Sequence, residues 1–326
     1  MHATRPSQPE LGIVIPCYDE EAVLGRLLDA LRRVGERSPW PVYFLFVDDG
    51  SRDRTLEILA QACRDDARMA CVSLSRNFGH QTAVTAGLRL IRGDIVGIID
   101  ADLQDAPELL LEMAVKWQEG YDVVYGVRTN RKESTVLRAC YKAFYRILKR
   151  LANIDIPLDA GDFCLMDRRV VDLINRMPEH NRFIRGLRGW IGFRQWGFPY
   201  ERNARAAGHT KYDLGKLFKL AFDGLISFSA VPLKLAGWLG VSASLAGFLY
   251  LIYAVVARLF FHIPPSGWTS LAVLILFFGG LQMIVLGIIG EYLGRIFDEV
   301  KNRPHFIPQQ TLGWVAQDPP AVPSDG

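Results

Sequence analysis

Asp100 and Asp102 flank Ala101 directly after the apolar run DIVGIID (94–100). Two carboxylates one residue apart, held at the tip of a buried strand, can converge on a hard divalent cation. Mg²⁺ or Mn²⁺ held there could be bridged to a diphosphate. Gln104 follows two residues on and could supply a third oxygen. A bare D-x-D also occurs in ordinary surface loops, so its weight here comes from the apolar strand before it. Asp48-Asp49-Gly50-Ser51 is a second acidic strand end. Its carboxylate could accept hydrogen bonds from a base or ribose, and Ser51 or Asp53 could equally cap the next helix. Asp162, in AGDFCLMDRR, is a candidate general base. Basic residues gather at Arg128, Arg131 and Lys132, then at Arg182, Arg185, Arg202, Arg205 and Lys211. Arginine forks suit bidentate phosphate binding, and at most half of these need touch a ligand. His80, His180 and His209 are too dispersed to argue as metal ligands and read as structural or surface residues.

These residues need a scaffold, and the chain supplies one as a repeat of apolar strands and amphipathic helices. Strands are expected at LGIVIP, 42–49, 70–75, 94–100 and 121–128. Helices are expected over Asp19–Val34, 53–64, 80–91 and Pro107–Gln118. Alternation of this kind indicates βαβ units and a mostly parallel sheet, whose ligands bind beyond the carboxyl ends of the strands. Asp48 and the Asp100/Asp102 pair fall at two such ends and so predict one shared crevice. GDFCLMDRRVVDLINRM reads as a short strand and a helix, whereas 181–213 shows no sustained period.

The chain has 326 residues, half of them hydrophobic, with a net charge of +3. That charge implies no polyanion-binding surface, and nucleic acid is not an expected partner. Five scattered cysteines without a C-x-x-C pair argue against a disulfide framework or a zinc site and suit a reducing compartment. No apolar h-region follows the first residues, so no cleavable leader is expected.

The apolar excess is concentrated late. Leu235–Ala257 and Trp268–Gly290 are each 23 residues without a formal charge. Either is long enough to cross a hydrocarbon layer of ~30 Å at about 1.5 Å per helical residue. A pair of buried core helices is the alternative, but two such spans joined by RLFFHIPPSG would need a larger soluble core than the chain offers. Lysines 211, 216, 219 and 234 precede the hairpin, and Arg295, Lys301 and Arg303 follow it. Only Arg258 and His262 lie between. The charge bias puts both ends on the cytoplasmic side. Tyr212–Val231, with lysines among Leu, Phe and Ile, reads as an interfacial amphipathic helix. The expected organisation is therefore a loose N-terminus (1–10), a catalytic domain (11–210), interfacial helices (211–232), a transmembrane hairpin (233–291) and a cytoplasmic tail (292–326).

The segments IVIPCYDEE (13–21), FVDDGSRDRT (46–55), LSRNFGHQTAVTAGL (74–88), DADLQDAPE (100–108), GDFCLMDRRVVD (161–172), NRFIRGLRGW (181–190) and AGHTKYDLGKL (207–217) stand in one order. SFSAVPLKLAG (227–237) then leads into the hairpin. Over about residues 11–300 this resembles family 2 glycosyltransferases of the polyprenyl-phosphate type, which include dolichol-phosphate mannose synthases and bacterial bactoprenol glucosyltransferases. The latter share the hairpin. The resemblance implies a GT-A fold and inverting transfer of a hexose from a nucleotide sugar to undecaprenyl or another polyprenyl phosphate. UDP-glucose is the default donor, with UDP-GlcNAc, UDP-galactose, GDP-mannose and an aminoarabinose donor left open.

It also implies that Pro16, Tyr18, Glu20 and Asp48 line the nucleotide pocket, and that Asp100, Asp102 and Gln104 hold Mg²⁺ or Mn²⁺. Arg128 and Arg131, with Arg202 and Lys211, would meet phosphates, and Arg185 and Arg205 are counted with the acceptor side. A homotetramer is one option it carries. His80 departs from the pattern, since many relatives have Lys there. If the acceptor is a phosphate monoester with a second pKa of about 6, it is already largely ionised, and Asp162 would then orient acceptor or sugar instead of acting as a base. A processive polysaccharide synthase is disfavoured because Q-x-x-R-W and further spans do not occur. A non-catalytic scaffold that binds nucleotide sugar is disfavoured by the intact acidic pair and Gln104.

Overall fold

The computed structural model describes residues 5–129, 160–180, 182–202, 231–261 and 267–317. Arg131, Arg205, Lys211 and the expected interfacial segment 211–230 lie outside the described residues. The chain divides into two units. The first contains the N-terminal residues to about 212 and the C-terminal residues from Asn302. The second is built around 213–301.

In the first unit the elements run β1 (Leu11–Cys17), α1 (Glu21–Arg37), β2 (Val42–Asp48), α2 (Thr55–Asp65), β3 (Met69–Leu74), α3 (His80–Leu90), β4 (Ile95–Ile98), α4 (Leu109–Gln118) and β5 (Val123–Arg128). After them come β6 (Ala160–Asp167), α5 (Arg168–Arg176), α6 (Ile184–Ile191) and β7 (Gln195–Tyr200). They form one sheet in the order β7-β5-β6-β4-β1-β2-β3-β8, where β8 is Pro308–Gly313. Strands β1, β2, β3 and β4 are parallel, as the alternation predicts. The wholly buried β1 and the inward stripe of α1 (Leu24, Leu27, Leu28, Leu31, Val34) meet in the main core. Each fully buried aliphatic side chain there contributes ~1.5–3 kcal/mol. Gly87 brings α3 against β1, because a Cβ there would collide with Val14.

Three features depart from the sequence reading. β6 runs antiparallel to both β4 and β5. The aperiodic stretch 181–213 contains α6 and β7, the latter parallel to β5. The segment read as a tail carries β8, antiparallel to β3. It is fastened by the Trp314 indole, which donates to the Arg68 carbonyl at 3.2 Å. The Arg92 guanidinium stacks on both Tyr43 and Trp314.

Asp167 ties β6 to its surroundings. Its carboxylate caps α5 through the Arg169 backbone N–H and accepts the buried Trp117 indole N–H at 2.9 Å. Burial alone would raise its pKa, but the Arg169 side chain and backbone N–H and the Trp117 indole outweigh that and lower it. This stabilisation is complete above the unfolded carboxylate value of about 3.9 and fades as pH falls through the lower folded value. Asp167→Ala removes the cap and leaves the indole unpaired. It is expected to cost ~2–4 kcal/mol at neutral pH, read as a fall in Tm, with a smaller penalty in acid.

The second unit holds α7 (Val231–Phe261) and α8 (Trp268–Val300), which pack on one another. Their apolar windows, Leu233–Ala254 and Val273–Val300, have mean hydropathies of 1.7 and 2.4. Side chains such as Trp238 and Leu276 are 70% and 76% exposed. Soluble surfaces rarely expose such continuous apolar area, whereas lipid covers it without cost. Two helices long and apolar enough to cross a membrane are thus present. α8 runs ten residues past the Gly290 boundary read from the sequence.

Candidate active site

The carboxyl edge of the sheet collects the candidate residues. β1 and β2 end in register, with Cys17 beside Asp48. The loop after β1 and the loop after β2 are then cross-linked. Asp19 N–H donates to Ser51 Oγ, Glu20 N–H to Thr55 Oγ1 and Glu21 N–H to Asp53 Oδ2, while Asp19 Oδ1 accepts from Arg52 N–H. Ser51, Asp53 and Thr55 therefore serve the first turn of α1 as well as the start of α2. Gly50 makes the close fit at this edge feasible. It sits at φ +70°, and a Cβ would lie 2.6 Å from the Arg76 carbonyl carbon.

Asp48 is 1% exposed, and its oxygens accept from Ser51 N–H and, at 2.7 Å, from Ser73 Oγ. It lies behind the cleft instead of lining it, because a strand's last inward position faces the core. The lining carboxylate is its neighbour Asp49, held by the Phe78 and Gly79 N–H groups at 2.7 and 2.8 Å.

Asp100 and Asp102 follow β4 by two and four residues. Leu103, at φ +56°, reverses the chain after them, and Gln104 N–H then donates to Asp102 Oδ1 at 3.1 Å. A left-handed leucine costs roughly 1–2 kcal/mol, a strain that clusters at functional turns. Gln104 thus enters through its backbone, and its side chain is not part of the cleft lining. The antiparallel course of β6 carries Asp162 to the same edge, since Cys164 pairs with Ile98. β5 and β7 end there too, with Arg128 beside Tyr200.

The result is a cleft of about 650 Å³ lined by Pro16, Tyr18, Glu20, Asp49, His80, Asp100, Asp102 and Asp162, among others. His80, set aside in the sequence reading, opens α3 and stands between two carboxylates. Its Nε2 is 3.7 Å from Asp100 Oδ1 and 3.7 Å from Asp162 Oδ2. Burial would lower its pKa, but Asp162 and Asp100 outweigh that and raise it. Arg185 Nη2 is 3.3 Å from Asp162 Oδ2. Burial works to raise the Asp162 carboxyl, yet His80, Arg185 and Arg188 together hold it well below the usual carboxylate range. Asp162 is therefore an anion with its charge already committed.

Behind the acidic pair, Arg128 and Arg202 meet Asp105 and Tyr200, two residues the sequence reading missed. Asp105, 1% exposed, accepts the Tyr200 hydroxyl at 2.5 Å and the Arg202 Nε–H at 3.1 Å. Arg128 is the strand partner of Tyr200 and lies against Gly161, next to Asp162. The signals that could have found these residues were positional. His80 opens the helix that follows β3, and Asp105 stands three residues past Asp102.

Asp100 Oδ1 is buried without a hydrogen-bond partner. Burial raises the Asp100 carboxyl, and the neighbouring Asp162, Asp102 and Asp105 add to this while His80 opposes it. Crowded carboxylates with a buried oxygen that accepts no hydrogen bond fit a hard cation. Among the described residues no set of three His, Cys, Asp or Glu side chains forms a complete protein cage. A metal shared with a diphosphate takes only one or two carboxylates from the protein, so the Asp100/Asp102 pair fits that use.

Residues 12–174 match the model of glycosyl transferase family 2, and residues 231–296 match that of the GtrB C-terminal hairpin. The uncharacterized glycosyltransferase YkcC of Bacillus subtilis (strain 168) is 48% identical over 93% of this chain and 94% of its own. The SfII prophage-derived bactoprenol glucosyl transferase of Shigella flexneri is 37% identical over 91% and 97%. A solved mannosyltransferase, PcManGT from Pyrobaculum calidifontis in complex with GDP-Man and Mn²⁺, is 17% identical over 88% and 87%, with a TM-score of 0.47. With an acidic pair at the carboxyl edge of a GT-A-type sheet and relatives this similar along nearly their whole lengths, the chain belongs to glycosyl transferase family 2 and is a glycosyltransferase.

Proposed function

We propose that the protein transfers a hexose, with glucose from UDP-glucose as the first candidate, to undecaprenyl or another polyprenyl phosphate with inversion at the anomeric carbon. One observation carries this reading: a single cleft gathers the acidic pair and anionic Asp162, which Arg185 pairs, in a chain that also bears two membrane-length helices. The name of the bactoprenol glucosyl transferase relative supports the lipid acceptor.

In this reading the nucleotide lies along Pro16, Tyr18, Glu20 and Asp49. An acceptor phosphate oxygen attacks the anomeric carbon from the face opposite the diphosphate. The bond from that carbon to the diphosphate oxygen breaks, and the electron pair leaves with the nucleoside diphosphate. Mg²⁺ or Mn²⁺, held by Asp100 and Asp102, supplies positive charge to the diphosphate when bound. The acceptor is largely ionised near neutrality, so no proton need be removed from it. Asp162 then fixes His80 and Arg185, while Arg128 and Arg202 stand at the same edge to meet phosphate charge.

Strands before and after the helix pair belong to the same sheet, which supports two crossings with both flanks on one face. The lysine and arginine bias of those flanks makes that face cytoplasmic.

The test is radiolabelled transfer from nucleotide sugars to undecaprenyl phosphate by the full-length protein in detergent. Chloroform-soluble label that needs Mg²⁺ or Mn²⁺ and disappears with EDTA is the expected result. Absence of such a product with every common donor overturns the reading. Thermal shifts with individual nucleotide sugars and Mn²⁺ rank the donors.

A further inference from the structure

Before any phosphate arrives, Arg202 already has carboxylate neighbours on two sides. Its Nη2 lies 3.9 Å from Asp100 Oδ2 and 3.9 Å from Asp102 Oδ2. From behind, the same guanidinium is held by Asp105 through Nε at 3.1 Å and Nη2 at 3.4 Å. Asp105 is itself 1% exposed and clasped by the Tyr200 hydroxyl. The Arg202 side chain is only 21% exposed. A guanidinium aimed at the acidic pair and anchored by a buried carboxylate is not a free surface arm.

We infer that Arg202 is a built-in counter-ion for Asp100 and Asp102, positioned by Asp105, which a divalent cation must displace. Cation binding thereby becomes conditional on the nucleotide. Two partly buried carboxylates one residue apart are costly without positive charge beside them, and Arg202 supplies it. A cation arriving alone must push a fixed positive charge off the pair, and the released guanidinium gains no new partner. A cation arriving with a diphosphate brings anionic oxygens that the Arg202 fork can take up bidentately, so the exchange stays balanced in charge. The inference rests on the assignment of the acidic pair to a metal under the proposed function.

The test is Mn²⁺ binding to the full-length protein in detergent, followed by electron paramagnetic resonance with and without UDP. The wild type is expected to bind Mn²⁺ weakly alone and at least tenfold more tightly with UDP. Arg202→Gln is expected to tighten nucleotide-free Mn²⁺ binding about tenfold and to shrink the gain from UDP, since linkage is reciprocal. Arg202→Lys keeps a charge but cannot hold the Asp105 fork, and is expected to fall within about threefold of Arg202→Gln. Lys116→Gln removes a charge from α4, where it pairs with Glu119 outside the cleft lining, and is expected to shift Mn²⁺ affinity less than threefold. Unfolding curves confirm that each variant is native.

Arg202→Gln binding no tighter than wild type, or Lys116→Gln matching its gain, overturns the counter-ion role. Wild-type affinity in Arg202→Lys removes Asp105 as the anchor. If the wild type holds no Mn²⁺ even with UDP, the metal assignment falls and this inference with it. If it holds Mn²⁺ and Arg202→Gln is unchanged, only the inference falls.

Discussion

Asp102→Asn is expected to lower turnover in sugar transfer by at least about 10³-fold, while the protein still folds and inserts. That loss corresponds to ~4 kcal/mol of transition-state stabilisation, the scale expected when a charged group opposite a departing diphosphate is lost. Asparagine has nearly the same shape, and its side-chain oxygen can still accept the Gln104 N–H that Asp102 Oδ1 accepts now. The turn at Leu103 should therefore persist, and Tm should move by no more than a few degrees. The measurements are radiolabel transfer under saturating donor and thermal unfolding of the same preparation. Wild-type turnover in a folded variant would remove the acidic pair from the mechanism.

Asp162→Asn is expected to lower kcat/KM about 10²-fold, and the shape of the residual pH profile tells what Asp162 does. The carboxylate holds Arg185 at 3.3 Å and stands 3.7 Å from His80, so its neutralisation releases both from one place. If Asp162 only orients, the residual activity follows the wild-type pH profile at a lower level, because the acceptor phosphate ionises by itself. If it were a general base, hydroxide would have to replace it, and residual activity would climb with pH beyond the wild-type plateau. The parallel profile is the expected outcome. Its depressed pKa agrees, since a strongly stabilised carboxylate is a poor proton acceptor near neutrality.

The βαβ alternation from Leu11 to about Arg128 was legible because each element buries a continuous apolar stripe, and such stripes leave a period in the residues themselves. The two long apolar helices were legible for a related reason, since span length and charge need no partner to be read. Asp100 and Asp102 could be placed at an edge because an apolar strand leads straight into them. The stretch 181–213 resisted reading. α6 and β7 are short, and their packing is set by neighbours distant in sequence. β8 likewise has little apolar content of its own and exists as a strand by pairing with β3.

What the residues determined alone was the class of chemistry: an acidic pair for a cation, arginines for phosphate, and two apolar spans for a membrane. Tertiary structure decided which of them meet. The antiparallel return of β6 sets Asp162 beside His80, which is far from it in sequence. The parallel pairing of β7 with β5 sets Tyr200 and Arg202 over Asp105, behind the acidic pair. The pairing of β2 with β3 seals Asp48 against Ser73 behind the cleft and leaves Asp49 facing into it. The physical reason is that charge partners separated by 80 to 100 positions leave no local period. Only closing the sheet brings them within the few ångströms over which they act.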